Sequence, residues 1–155
     1  TLEPWELTKL GKIARLQGSF ERAIGYYRMA LDKFLASEDL EGISASYLNI
    51  GSAQSSLDKN DDAIESARIS YVFALLSLDV KGVIRAISNI ATIESAKGNF
   101  SVAEEWYNKA LKLQSKYLDE EGSPCFDEEA SPGFDDDEQQ IKNLIFYFTK
   151  NKWIY

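Results

Sequence analysis

At 155 residues, 45% apolar and 27% charged, the chain amounts to one globular domain, long enough to bury a sizeable core. It has no histidine and one cysteine, Cys125, which excludes Ser-His-Asp and Cys-His nucleophile systems, an internal disulfide and any Cys-rich zinc site. The net charge of −8 is concentrated: residues 1–118 carry 14 Lys/Arg against 15 Asp/Glu, residues 119–138 ten acids and no base, and residues 139–155 three lysines and no acid. No basic face of the kind that neutralises phosphates is visible, which argues against a nucleic-acid partner. No apolar run reaches the roughly 18 residues of a membrane span. No basic-then-apolar signal opens the chain, so a cytoplasmic location is the favoured expectation, although Thr1 in place of Met fits a processed or truncated start.

Apolar residues recur with helical spacing over residues 5–117, and the chain has only three prolines, which predicts an all-helical fold. The pattern repeats every 40 residues. Leu7, Leu10-Gly11, Ala23, Tyr27 and Ala30 open it. Tyr47, Ile50-Gly51, Ala63, Ala67 and Ser70 follow, then Ile87, Ile90-Ala91, Ala103, Tyr107 and Ala110. In the second unit the spacing predicts one helix over about 43–57 and another over about 61–78. Tyr47, Ile50, Ala53, Gln54 and Leu57 form the buried face of the first. Gly51, Ala63, Ala67 and Ser70 are the small residues at which the two helices approach closely. Asp39-x-x-Gly42 and Asp79-x-x-Gly82 are read as inter-unit turns, with glycine in the turn and aspartate capping a helix start. A third Asp-x-x-Gly at Asp119 and Gly122 is followed by Glu129-Ala130-Ser131-Pro132, where the pattern stops. The first unit has no room for a preceding Asp-x-x-Gly, as expected if upstream repeats had been cut away.

These residues resemble the tetratricopeptide repeat over about residues 5–118. The 40-residue period and the Asn-Ile-Gly step at 49–51 are similar to the longer variant of LGN/Pins-type adaptors and kinesin light chains. The resemblance implies three tandem helical hairpins in a right-handed α-solenoid, with a non-enzymatic role as a protein-binding adaptor or scaffold. It also implies that the first helix of each hairpin lines a concave peptide-binding groove. By register the groove positions are Trp5, Thr8, Lys9, Lys12, Arg15 and Leu16; then Ala45, Leu48, Asn49, Ser52, Ser55 and Ser56; then Arg85, Ser88, Asn89, Thr92, Ser95 and Ala96.

None of these 18 positions is acidic and four are basic, which favours an extended acidic segment as ligand. Lys9, Lys12 and Arg85 would attract it. Asn49 and Asn89 would bond its backbone, with Ser52 and Thr92 beside them. The asparagines also read as packing residues and the serines as solvated ones. Asn49 and Arg85 occupy positions like those of a carboxylate clamp, but Thr8 and Lys12 depart from that pattern.

The acidic connector at 119–138 contains Ser123-Pro124 and Ser131-Pro132, each followed by Phe and three acids. Each copy reads as a helix start or as a mimic of an acidic ligand that docks intramolecularly in the groove. Residues 139–155 place Ile141, Leu144, Ile145 and Phe148 on one face of a C-terminal helix. It is expected to cap the array, or alternatively to act as a homo-oligomer surface of a structural assembly factor. No cofactor or metal is expected.

Overall fold

The computed structural model describes residues 1–118, so the segments expected to form an acidic connector and a C-terminal capping helix lie outside the described residues. Six helices follow one another: α1 Pro4–Leu16, α2 Phe20–Ala36, α3 Leu40–Ser56, α4 Asn60–Leu76, α5 Val80–Ala96 and α6 Phe100–Tyr117. From α2 onward a new helix starts every 20 residues, so two helices and two three-residue links make each 40-residue period. The fold is an all-α repeat solenoid. Each helix packs on its neighbours in sequence, and α3 also touches α5.

The three-residue links follow one scheme. The middle residue of each link is in the left-handed region: Gly18, Glu38, Asp58, Leu78 and Gly98, with φ between 54° and 86°. At each, two backbone bonds close the helix end. In the first link Gly18 N–H donates to Arg15 O at 2.9 Å and Ser19 N–H to Ala14 O at 2.9 Å. In the fourth Leu78 N–H donates to Leu75 O and Asp79 N–H to Ala74 O. These are Schellman closures, which satisfy carbonyls that the helix end would otherwise orphan. The residue ending one closure begins the next helix, leaving no free chain between them.

The odd helices add side-chain caps. Glu3 N–H donates to Glu6 Oε2 at 2.9 Å with Pro4 at the first helical position. Asp39 Oδ1 accepts from Gly42 N–H at 3.0 Å, and Asp79 Oδ1 from Gly82 N–H at 3.1 Å. Those bonds bear out the aspartates as helix caps and correct the placing of the glycines. Gly42 and Gly82 lie in the first helical turn, not in the inter-unit turn, and α3 starts at Leu40 where 43 was expected. Gly42 is required by close approach: a Cβ there would run into the Phe34 ring of α2.

The core forms two clusters along the stack. Leu7, Tyr27, Phe34, Ile50 and Val72 are buried in its first part, and Val83, Ile87, Ile90 and Ile93 in its second. Tyr47, Ile50, Ala53 and Gln54 are buried as expected, while Leu57 is half-buried. The α3–α4 hairpin is also joined by polar contacts. Ser44 Oγ donates to Ser70 O at 2.7 Å, Ser70 Oγ returns a bond to Ser44 O at 2.8 Å, and Ser66 Oγ donates to Gln54 Oε1 at 2.7 Å. A Cβ on Gly51 would sit 3.2 Å from Ala63 O, so the small-residue seam brings these two backbones together. At the far end α6 leaves Phe100, Val102, Tyr107 and Leu111 exposed. Among the described residues no helix is long and apolar enough to cross a membrane.

Candidate functional site

The first helices of the three hairpins bring their side chains to one face. A cavity of about 210 Å³ lies there, formed by α1, α3 and α5. Trp5 and Lys12 reach it from α1, Ala45, Leu48 and Asn49 from α3, and Arg85 from α5. Trp5 is held by an edge contact with Phe34, ring centroids 4.7 Å apart at 65°. Thr8 also borders the cavity, but it is buried and its hydroxyl donates to Pro4 O at 3.0 Å. A second cavity of about 340 Å³ adjoins it along α3 and α5, lined by Leu48, Ser52, Ile84, Arg85, Ser88, Asn89 and Thr92. Arg85 borders both and a third hollow with Lys81, Ile84 and Leu118, which makes it the junction of the face.

The sequence-derived residues therefore fall into two groups and an outlier. Lys12, Asn49 and Arg85 meet at the first cavity; Ser52, Arg85, Asn89 and Thr92 meet at the second. Lys9 is exposed and stands at neither. Thr92 is engaged already: its hydroxyl donates to Ser88 O at 3.0 Å and lies 3.0 Å from Tyr107 Oη, tying α5 to α6. Asn89 is the opposite case. Its Nδ2 is buried with no hydrogen-bond partner among the described residues, a state that a buried amide pays for in free energy.

The electrostatics differ from the expectation of a face free of acids. Glu41 and Asp79 also line the first cavity. Asp79 was expected in an inter-unit turn, and Glu41 precedes the helix expected from about residue 43, so neither carboxylate was counted on the face. The Asp79 carboxylate is committed to its cap bond with Gly82, and Glu41 is exposed. Among the described residues neither Lys12 nor Arg85 has a carboxylate within ion-pair distance. The ion pair that does form, Lys97 to Asp61 at 2.9 Å, joins α4 to the end of α5 and lies away from these cavities. The second cavity has no acid in its lining. The one further signal available in the sequence was Asp-x-x-Gly itself: an aspartate cap puts the helix start at the very next residue, which would have included Glu41.

Comparison with curated proteins finds no match to the chain. The family profile of the tetratricopeptide repeat matches residues 84–117: most of α5, the link that follows it and all of α6. A 40-residue spacing in place of 34 leaves about three extra residues per helix, a little under one turn each. Six helices in tandem, joined by five equivalent links and carrying that match in the third hairpin, support a repeat of the tetratricopeptide type.

Proposed function

We propose that the chain is a non-enzymatic adaptor that holds an extended, acidic peptide segment of another protein along the α1–α3–α5 face. Repeats of this type generally mediate protein–protein interaction, and this fold is typical of adaptors without catalytic activity. The observation that carries the finer reading is the convergence of Lys12, Asn49 and Arg85 on one cavity, with both cations lacking a carboxylate partner among the described residues. A peptide carboxylate placed between Lys12 and Arg85 would gain two charge-assisted contacts. The Asn49 amide would bond the peptide's backbone carbonyls, and the Asn89 side chain, whose Nδ2 is buried without a partner among the described residues, would do so by turning toward the second cavity. Trp5 and Leu48 supply apolar contact at the first cavity, and Leu48 and Ile84 at the second.

Affinity capture with the intact chain, run beside a Lys12→Glu/Arg85→Glu variant, tests this reading. A protein retained by the wild-type chain and lost from the variant is the expected result. Equal capture by both would move the binding surface off this face.

A further inference from the structure

The 40-residue period allows the two grooves on the opposite side of the array to be compared position by position. Between α4 and α6 the groove is filled. Trp106 packs edge-on against Tyr71, ring centroids 6.1 Å apart at 82°. Lys109 Nζ donates to Tyr71 Oη at 3.1 Å and lies 5.5 Å and 5.6 Å from the centroids of Tyr71 and Trp106. One period earlier the same positions hold Leu31, Ser66 and Ile69, where Tyr71, Trp106 and Lys109 stand in the later groove. With the aromatic pair and the cation gone, the groove between α2 and α4 is left open as a cavity of about 610 Å³ floored by α3.

This cavity is built to receive what its counterpart already contains. Its base is apolar: Leu31, Ile50 and Ile69 are all buried. Asp32, Asp62 and Glu65 stand around it against the single cation Arg28, and none of the three carboxylates is ion-paired among the described residues. Tyr47 lines it at 8% exposure. Apolar depth and a carboxylate rim together match an aromatic side chain followed by a cation. Lys12 and Arg85 face the other way: Tyr47 and Ile50 lie on one side of α3, Ala45 and Leu48 on the other.

We propose that the α2–α4 groove is a second docking surface, which receives an amphipathic helix of a partner protein. That helix would present an aromatic residue with lysine or arginine three positions later, as α6 presents Trp106 and Lys109. The aromatic ring enters over Leu31 and Ser66, and the cation meets Asp32 and Glu65. This surface is independent of the peptide-binding face.

A fluorescent synthetic peptide of residues 100–117, the sequence that fills the later groove, is the probe, titrated into the full chain by anisotropy. Saturable binding is expected. It should weaken at least ~10-fold for the Asp32→Lys/Glu65→Lys chain and for a peptide carrying Trp106→Ala and Lys109→Glu. A Ser66→Trp chain, whose new side chain fills the groove from within, should lose binding while retaining its helical circular dichroism. Should that variant fail to fold, the charge-reversed chain decides alone, since its substituted residues are at the surface. Absence of saturable binding up to about 1 mM overturns the proposal, as does binding that the charge reversal leaves unchanged, which would mean exchange with α6. Tyr147 and Lys150 have the same spacing as Trp106 and Lys109, so binding that appears only after Tyr147→Ala/Lys150→Glu would assign the groove to the chain's own C-terminal residues and equally overturn a partner.

Discussion

Tyr47 combines packing and electrostatics in one side chain. It is buried among α2, α3 and α4, and burial pushes its phenol up to about 12; Glu65 and Asp32 add to the shift, and Arg28 opposes it. A raised folded-state value means that the unfolded chain ionises first. Stability from this group is complete below pH 10 and is lost as the pH rises towards 12, by about 2–3 kcal/mol for a shift of this size. Urea unfolding at pH 9 and pH 11.5 should show a steeper alkaline loss for the wild type than for Tyr47→Phe; parallel losses would mean the phenol is not desolvated. Two glycines give a second test in which opposite signs are expected. Gly25 lies mid-helix in α2 with nothing within 4 Å of an added Cβ, so Gly25→Ala should stabilise by about 0.5–1 kcal/mol. A Cβ at Gly42 would meet the buried Phe34 ring, so Gly42→Ala should cost about 1–3 kcal/mol. Thermal melts of the two variants separate a glycine that is dispensable from one that packing requires.

At the scale of the element, the five links are alike in backbone and unlike in sequence. Gly18 and Gly98 meet the left-handed requirement without a Cβ penalty, whereas Glu38, Asp58 and Leu78 hold the same conformation against it. Leu78 is half-exposed as well, so Leu78→Gly should raise the urea midpoint, by up to about 1 kcal/mol in stability. A lower midpoint would show that the Leu78 side chain contributes more than its backbone strain removes. Asp79→Ala, one residue on, should cost about 1 kcal/mol by removing the cap on Gly82. These links also explain what could be read from the chain and what could not. Apolar periodicity located the helices and their buried faces, because Tyr47, Ile50 and Ala53 recur at helical spacing. It did not locate the starts of α3 and α5, since glycine at the third helical position imitates a turn signal. Close approach to Phe34, which is what demands Gly42, is a tertiary contact that no local pattern carries.

Across the whole molecule, the period determines the surfaces as well as the fold. Because every unit has the same length, odd helices share one face and even helices the other, so register alone brought Lys12, Asn49 and Arg85 to a common cavity. Register misjudged the acids on that face, because Glu41 enters only when the helix start is right. The groove between α2 and α4 was invisible to pattern reading for a different reason. It arises from what Leu31 and Ser66 fail to fill, and volume missing between two helices has no sequence signature of its own. The central claim concerns the other face, where unpaired cations wait on α1 and α5. Its most direct test is the anisotropy of a fluorescent, glutamate-rich 12-residue peptide titrated into the intact chain at low and at physiological ionic strength. Binding should weaken with salt, and Arg85→Glu should weaken it by about tenfold or more, the effect of losing roughly 1.4 kcal/mol at one charged contact. Equal affinity of the wild-type and Arg85→Glu chains at both ionic strengths would contradict a cationic peptide site on the α1–α3–α5 face.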